Sequence, residues 1–261
     1  MQKILVHLIP LCTLIILATT AATPVLAQNV QGINPDRPDL TPNSYVVPTG
    51  YTMVELGLLY QKETTATSEA RTYAYPTALV RYGLLDKLEL RVLGALKDSV
   101  VENGEQRTFS GAGPLSVGAR LKLLENQGWV PQASLTVMVA LPVASRRFRP
   151  ENPEPRVTLA FANELSDKSE LQYGLTQGWV EGSSVTRYAV NFSTDLTDAI
   201  TFLVEAVGEK ERGEQAGYQG VAALQFGLGL HLMLDVAAGL GLNDAAPDYF
   251  VGTGLSVRLP K

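Results

Sequence analysis

The stretch Leu115-Ser116-Val117-Gly118-Ala119-Arg120-Leu121-Lys122-Leu123 places an apolar side chain at every odd position and a polar residue or glycine at every even one. Unbroken period two is the pattern of a strand with one apolar face, and helical spacing at i, i+3 and i+4 accounts for none of it. Leu88-Glu89-Leu90-Arg91-Val92 repeats the pattern. So do residues 232–240, where Leu232, Leu234, Val236, Ala238 and Leu240 share a face. In residues 251–259, Val251, Thr253, Leu255, Val257 and Leu259 stand opposite Gly252, Gly254, Ser256 and Arg258.

The same period predicts strands near residues 51–61, 71–84, 88–97, 111–123, 129–141, 156–165, 170–179, 185–194, 200–208, 217–226, 231–241 and 249–259. Most are roughly 9–13 residues long, enough to cross a bilayer at a tilt. The connections 85–87, 124–128, 166–169, 195–199 and 227–230 are short. Those at 62–70, 98–110, 142–155, 180–184, 209–216 and 242–248 are mostly longer. Such alternation belongs to bacterial transmembrane barrels, with short turns in the periplasm and long loops outside. The expected fold is all-β, an antiparallel up-and-down transmembrane β-barrel of about twelve strands over residues 51–261. An even strand count places both termini in the periplasm.

The charges assign the faces. Glu55, Arg81, Glu89, Arg91, Arg120, Lys122, Arg156, Glu164, Arg187, Glu205, Asp235 and Arg258 all alternate with apolar neighbours inside predicted strands. An Arg or Lys against lipid costs roughly 2–4 kcal/mol at the midplane, so these residues line the lumen or its rims. A soluble, lipocalin-like barrel with the apolar face inward would leave twelve long strands too little polar surface outside. Tyr51, Tyr60, Tyr82, Trp129, Trp179, Tyr218 and Tyr249 fall near strand ends, where interfacial aromatic girdles belong. Glycines 83, 94, 118, 174, 178, 227, 229, 239, 241, 252 and 254 are first read as relief of curvature at bulges. The other reading is that they leave room in the lumen.

Before the barrel, Met1-Gln2-Lys3 is a short basic start, residues 4–17 are mostly apolar, and Val25-Leu26-Ala27 is a small-x-small cleavage site. Residues 1–27 therefore read as a secretory signal peptide. Residues 28–50 follow as an extended periplasmic leader, in which Pro35, Pro38, Pro42 and Pro48 forbid a helix. Cys12, the single cysteine, lies inside the signal, so the mature chain forms no disulfide. Of 21 Lys+Arg and 26 Asp+Glu, the signal removes only Lys3, leaving 20 against 26 and a mature net charge of −6. Nothing in that balance neutralises phosphates, which argues against nucleic acid as a partner. A mean hydropathy of +0.07 is too low for a helical membrane protein and fits alternating lipid-facing and lumen-facing residues.

Chemistry is sparse. His231 is the single histidine after the signal, so no multi-histidine metal site can form, and no G-x-S-x-G elbow is present. Neither an enzyme nor a cofactor is expected. The partners expected are outer-membrane lipid, the barrel assembly machinery and small-molecule solutes. Two readings of the lumen charges stay open: a paired network that fills the interior, or a constriction that selects solutes.

The leader and first strand, Asp36-Arg37-Pro38-Asp39-Leu40-Thr41-Pro42-Asn43-Ser44-Tyr45-Val46-Val47-Pro48-Thr49-Gly50-Tyr51-Thr52-Met53-Val54-Glu55, resemble the opening of a known family. These are the outer-membrane transport proteins named for the meta-pathway of phenol degradation. The Asp36-Arg37-Pro38 motif, the Ser44-x-x-Val47-Pro48-x-Gly50 run and Glu55 carry the likeness. The 82–91 hairpin and the 239–249 end are also similar to that family. The resemblance implies an outer-membrane channel for passive uptake of small, aromatic or hydrophobic compounds. The alternative is a structural or adhesion-type barrel with a filled lumen. The chain departs from common barrels at its end, where Leu259 stands in place of the aromatic residue that the assembly machinery reads.

Overall fold

The computed structural model describes residues 32–65 and 67–259; the predicted signal peptide, Cys12 and the last two residues lie outside them. Among the described residues thirteen strands follow one another: β1 Thr52–Thr64, β2 Glu69–Leu85, β3 Leu88–Asn103, β4 Glu105–Ala112, β5 Ser116–Leu124, β6 Gln132–Ala140 and β7 Glu154–Ser166. The rest are β8 Ser169–Val180, β9 Ser183–Thr197, β10 Ile200–Glu211, β11 Gly217–Gly227, β12 Leu232–Gly241 and β13 Tyr249–Leu259. Every pairing is antiparallel between sequence neighbours, save that β3 pairs both β4 and β5, and β1 closes the ring on β13. The result is a closed twelve-strand barrel, because β4 and β5 act as one interrupted strand along β3. β5 pairs Leu88–Leu93 and β4 pairs Leu96–Asn103. Gly113-Pro114-Leu115 makes the interruption, where Pro114 has no N–H to give to the ladder.

The burial pattern is that of a soluble protein turned inside out. Along β7, Thr158, Ala160 and Ala162 are buried while Leu159 is exposed. Leu56, Leu58, Val92, Leu121, Leu175, Val190 and Val251 are exposed around the ring, whereas Arg81, Glu55, Glu89 and Arg120 are at most 2% exposed. An apolar belt of this extent is stable only against lipid. Rings cluster outside the belt at one end: Tyr60 lies 5.0 Å from Tyr73 and 5.8 Å from Tyr249, and Tyr188 lies 6.4 Å from Tyr218. That end carries the longer loops and is called the loop end. Both the start of β1 and the end of β13 sit at the opposite, turn end, where Thr52 pairs with Leu259.

Several expectations need correction. Residues 98–110 are not a loop: β3 runs on to Asn103, turns at Gly104 (φ 71°) and returns as β4. The 180–184 connection is a two-residue turn in which Glu181 (φ 49°) and Gly182 (φ 83°) both take positive φ, the geometry of a tight hairpin. Trp129 does not begin a strand; it stands on the β5–β6 turn, 98% exposed. Of the strand glycines singled out from the sequence, Gly83 alone coincides with a register shift, as does Gly57 on β1, so curvature relief does not explain the rest.

Candidate functional site

The lumen is occupied by the chain's own leader. Residues 32–50 have no regular secondary structure, as four prolines dictate, so their backbone groups have no ladder to join. Inside a barrel those groups need partners, and the charged side chains of the wall supply them. Glu55 accepts from the backbone N–H of Asp36 (2.9 Å) and Arg37 (3.1 Å). Glu205 accepts from the N–H of Leu40 (3.1 Å), the N–H of Thr41 (2.8 Å) and the Thr41 hydroxyl (2.7 Å). Glu89 accepts from the Val47 N–H at 2.7 Å. In the other direction, Arg81 and Arg120 each donate to the Tyr45 carbonyl at 2.8 Å, and Gln225 donates to that of Arg37 at 2.9 Å.

Leader side chains make the second set of contacts. Asp36 sits among three guanidinium groups, with Arg81 at 3.1 Å, Arg120 at 3.0 Å and Arg91 in direct contact. Arg81 also pairs with Glu55 and Glu89 at 3.0 Å, and Arg91 with Glu89 at 2.6 Å. Three cations are thereby matched by Asp36, Glu55 and Glu89, which makes their burial affordable. Burial alone would raise the Asp36 carboxyl; the charges of Arg120, Arg91 and Arg81 overcome it and hold the group well below the usual carboxylate range. Arg37 crosses to Asp235 on β12 at 3.0 Å. Its guanidinium lies over Gly57 and Gly254, which face each other across the β1–β13 pair, and a Cβ at either would collide with it. Pro42 lies over Gly174 in the same way. These glycines make room in the lumen.

The apex of the leader is held differently. Asn191 donates to Asp39 at 2.6 Å, and no cation pairs with Asp39 or Glu205 among the described residues. Burial, then the negative charges of Glu205 and Asp36, push the Asp39 carboxyl well above its ordinary value. Lower down, the Tyr45 hydroxyl contacts Glu170, and burial followed by that carboxylate raises its pKa.

A cavity lies on each side of this plug. The loop-end cavity, about 650 Å³, is lined by Leu40 of the leader with Leu59, Val207 and Phe250 of the wall, and by Arg187 paired to Glu209. The turn-end cavity, about 520 Å³, is lined by Ile33, Pro35, Asp39 and Asn43 with Glu164, Glu170 and Met233. Leu40 thus faces one chamber and Ile33 the other.

The twelve expected lumen residues divide into two groups. Glu55, Arg81, Glu89, Arg91, Arg120, Glu205, Asp235 and Arg258 are buried, the first seven of them against or beside the leader. Arg258 reaches the Leu230 carbonyl at 3.1 Å and stacks over Tyr51. Lys122 reaches Glu125 at the turn end (2.7 Å), Glu164 borders the turn-end cavity, Arg187 borders the loop-end cavity and Arg156 is exposed beside Met138. The leader was expected on the periplasmic side of the barrel; its described residues 32–50 run inside the ring instead. Sequence reasoning missed Glu170 and Asn191. Asn191 continues the inward register of Arg187 and Ala189, a signal that was available. His231 is exposed on the turn before β12.

The family model described as "Putative MetA-pathway of phenol degradation" matches residues 35–259. No curated protein matches the chain. Among solved structures, an outer membrane channel from Pseudomonas putida F1 is similar with a TM-score of 0.64 at 12% identity, over 85% of this chain and 100% of that one. The translocator domain of the autotransporter NalP from Neisseria meningitidis is similar at TM-score 0.56 and 11% identity, covering 82% and 90%. The KdgM porin, in complex with disordered oligogalacturonate, follows at TM-score 0.54 and 10% identity, covering 78% and 98%. At such identities the likeness is one of fold.

Proposed function

The chain belongs to the MetA-pathway phenol-degradation family, and from that premise we propose that it is an outer-membrane channel for passive uptake of small solutes, aromatic ones among them. The observation that carries this reading is a lumen that is obstructed yet not packed solid. Chambers of about 650 and 520 Å³ stand on the two sides of the leader, each within the roughly 300–1,000 Å³ range of small-molecule sites. The aromatic part of the reading rests on the family description. In the membrane, the loop end faces outward, and the turn end, with both ends of the barrel, faces the periplasm. The leader sets how narrow the passage is.

The filled-lumen, non-transporting barrel keeps one observation in its favour: the leader is bonded to opposite walls, at Glu55 and Arg81 on one side and Glu205 on the other. The fold does not decide between the two, since the similar structures include both a porin and an autotransporter domain. Purified protein in planar bilayers separates them. The channel reading expects small, discrete openings; silence at every voltage, together with no solute uptake by proteoliposomes, would establish the filled barrel.

A further inference from the structure

The loop-end cavity has two chemically distinct parts. Its floor is apolar: Leu59, Val207 and Phe250 from the wall meet Leu40 from the apex of the leader. Val207 and Phe250 are each only 5% exposed, and Phe250 belongs to a packed cluster with Leu203 and Val221 against which Leu40 and Leu59 also pack. Its mouth is acidic: Glu63 on β1, Glu211 on β10, and Glu214 and Asp244 on the two loops that follow β10 and β12. None of these four has an ion-pair partner among the described residues. Among the described residues Arg187 is the one cation in the lining, and Glu209 already holds it at 2.6 Å. The arginines below cannot offset the mouth either, because Asp36, Glu55 and Glu89 match them.

We propose that this cavity is a binding site for small organic cations with an apolar body, of the arylalkylammonium class, and that its mouth rejects carboxylates of the same shape. A flat ring on the floor would displace water from apolar surface, gaining about 25 cal/mol per Å². The ammonium group would stay hydrated at the mouth, facing four carboxylates whose field the low-dielectric walls concentrate. An inorganic cation gains nothing from the floor, and a tightly held metal is disfavoured because no three acidic, His or Cys side chains converge as ligands among the described residues. A phenylcarboxylate would meet the same floor and the opposite field. Binding stands independently of transport; passage through the barrel rests on the channel reading.

The test uses three probes that share a ring and a two-carbon arm or its near equivalent: phenethylammonium, phenethyl alcohol and phenylacetate. Titration calorimetry on the detergent-solubilised mature protein should show the cation binding about tenfold tighter than the anion at low salt, the neutral alcohol lying between, and the gap closing as salt screens the mouth. The quadruple variant E63Q/E211Q/E214Q/D244N changes only exposed side chains, and heat-modifiable gel migration checks its barrel. It should bind all three probes alike, with the alcohol unchanged from wild type. Equal affinity for cation and anion in the wild type, or an undiminished preference in the variant, would overturn the site. Uptake by proteoliposomes is read separately. A protein that binds in the charge order yet passes none of the probes sinks the channel reading and leaves the site standing. Passage of all three without a charge order in binding does the reverse.

Discussion

Asp36 and Asp39 are three positions apart, share the same interior and respond to pH in opposite senses. Three guanidiniums hold the Asp36 carboxyl below its unfolded value, so its contribution is complete above about pH 4, near the unfolded pKa, and is lost as pH falls toward the lower folded value. Asp39 is raised, by burial first and then by Glu205 and Asp36. Its contribution is therefore complete below the unfolded pKa and fades as pH rises through the folded one. The apex of the leader should loosen on going from acid to neutral pH while its base stays tied. The proteinase K cleavage rate of residues 32–50 in the wild type, taken relative to Asp39→Asn at each pH, should accordingly climb as pH rises above the ordinary carboxylate range. A relative rate that falls over that range contradicts the assignment. Asp36→Asn removes one charge from a buried, balanced set and should lower the stability of the docked leader by about 2–4 kcal/mol. Larger single-channel conductance and faster leader cleavage at pH 7 are the readouts, and an unchanged conductance would mean that the leader does not limit flow.

Strands β1 and β13 meet at a pair of glycines, and that pair is where an element of the wall is shaped around the plug. The atoms nearest to a Cβ added at Gly57 belong to the Arg37 and Thr77 side chains, so Gly57→Leu should leave the barrel closed while displacing Arg37 from Asp235. Overpacking of this kind costs about 1–3 kcal/mol, borne here by the side chains of Arg37 in the leader and Thr77 on β2 and not by the strand backbone. The expected result is normal heat-modifiable migration with a protease-sensitive leader; loss of the folded band would place the cost in the wall. The strands themselves were readable because a bilayer outside and a polar interior impose period two on every one of them. What lies above the membrane has no such constraint. Asp98-Ser99-Val100-Val101-Glu102-Asn103 and its partner β4 mix polar and apolar residues on both faces, so their pairing left no pattern to read. Glu181 at positive φ was hidden for a local reason, since only Gly182 of the pair advertises a tight turn. The inward aspect of Arg81, Glu89 and Arg120 followed from the cost of charge in lipid. What they face did not, because Asp36 lies 45 to 84 positions away and a proline-rich segment has no periodicity to place it.

The whole molecule is a ring that closes without its plug. β1 pairs with β13 along its length and each other strand pairs with its neighbours, so no strand pairing of the wall involves the described leader residues 32–50. The leader, by contrast, has no regular secondary structure; Asn43 bridges its own backbone at Asn34, Pro35 and Tyr45, and its other backbone partners come largely from the wall. A chain lacking residues 28–50 should therefore still insert and migrate as a folded barrel. It should melt at a lower temperature, because Arg81, Arg91 and Arg120 would then face Glu55 and Glu89 alone, three cations against two anions, with water replacing Asp36 and the Tyr45 carbonyl. Its conductance should exceed that of the wild type, and its permeation should shift toward anions, since the unbalanced cluster would line an open pore. The shift ties the sign of selectivity to one residue: restoring the leader with Asp36→Asn should keep part of it, and restoring the native leader should abolish it. Conductance and reversal potential in a salt gradient measure both quantities on one channel. If the leaderless barrel conducts no more than the wild type, the obstruction lies in the wall and loops, and the leader is a structural filling.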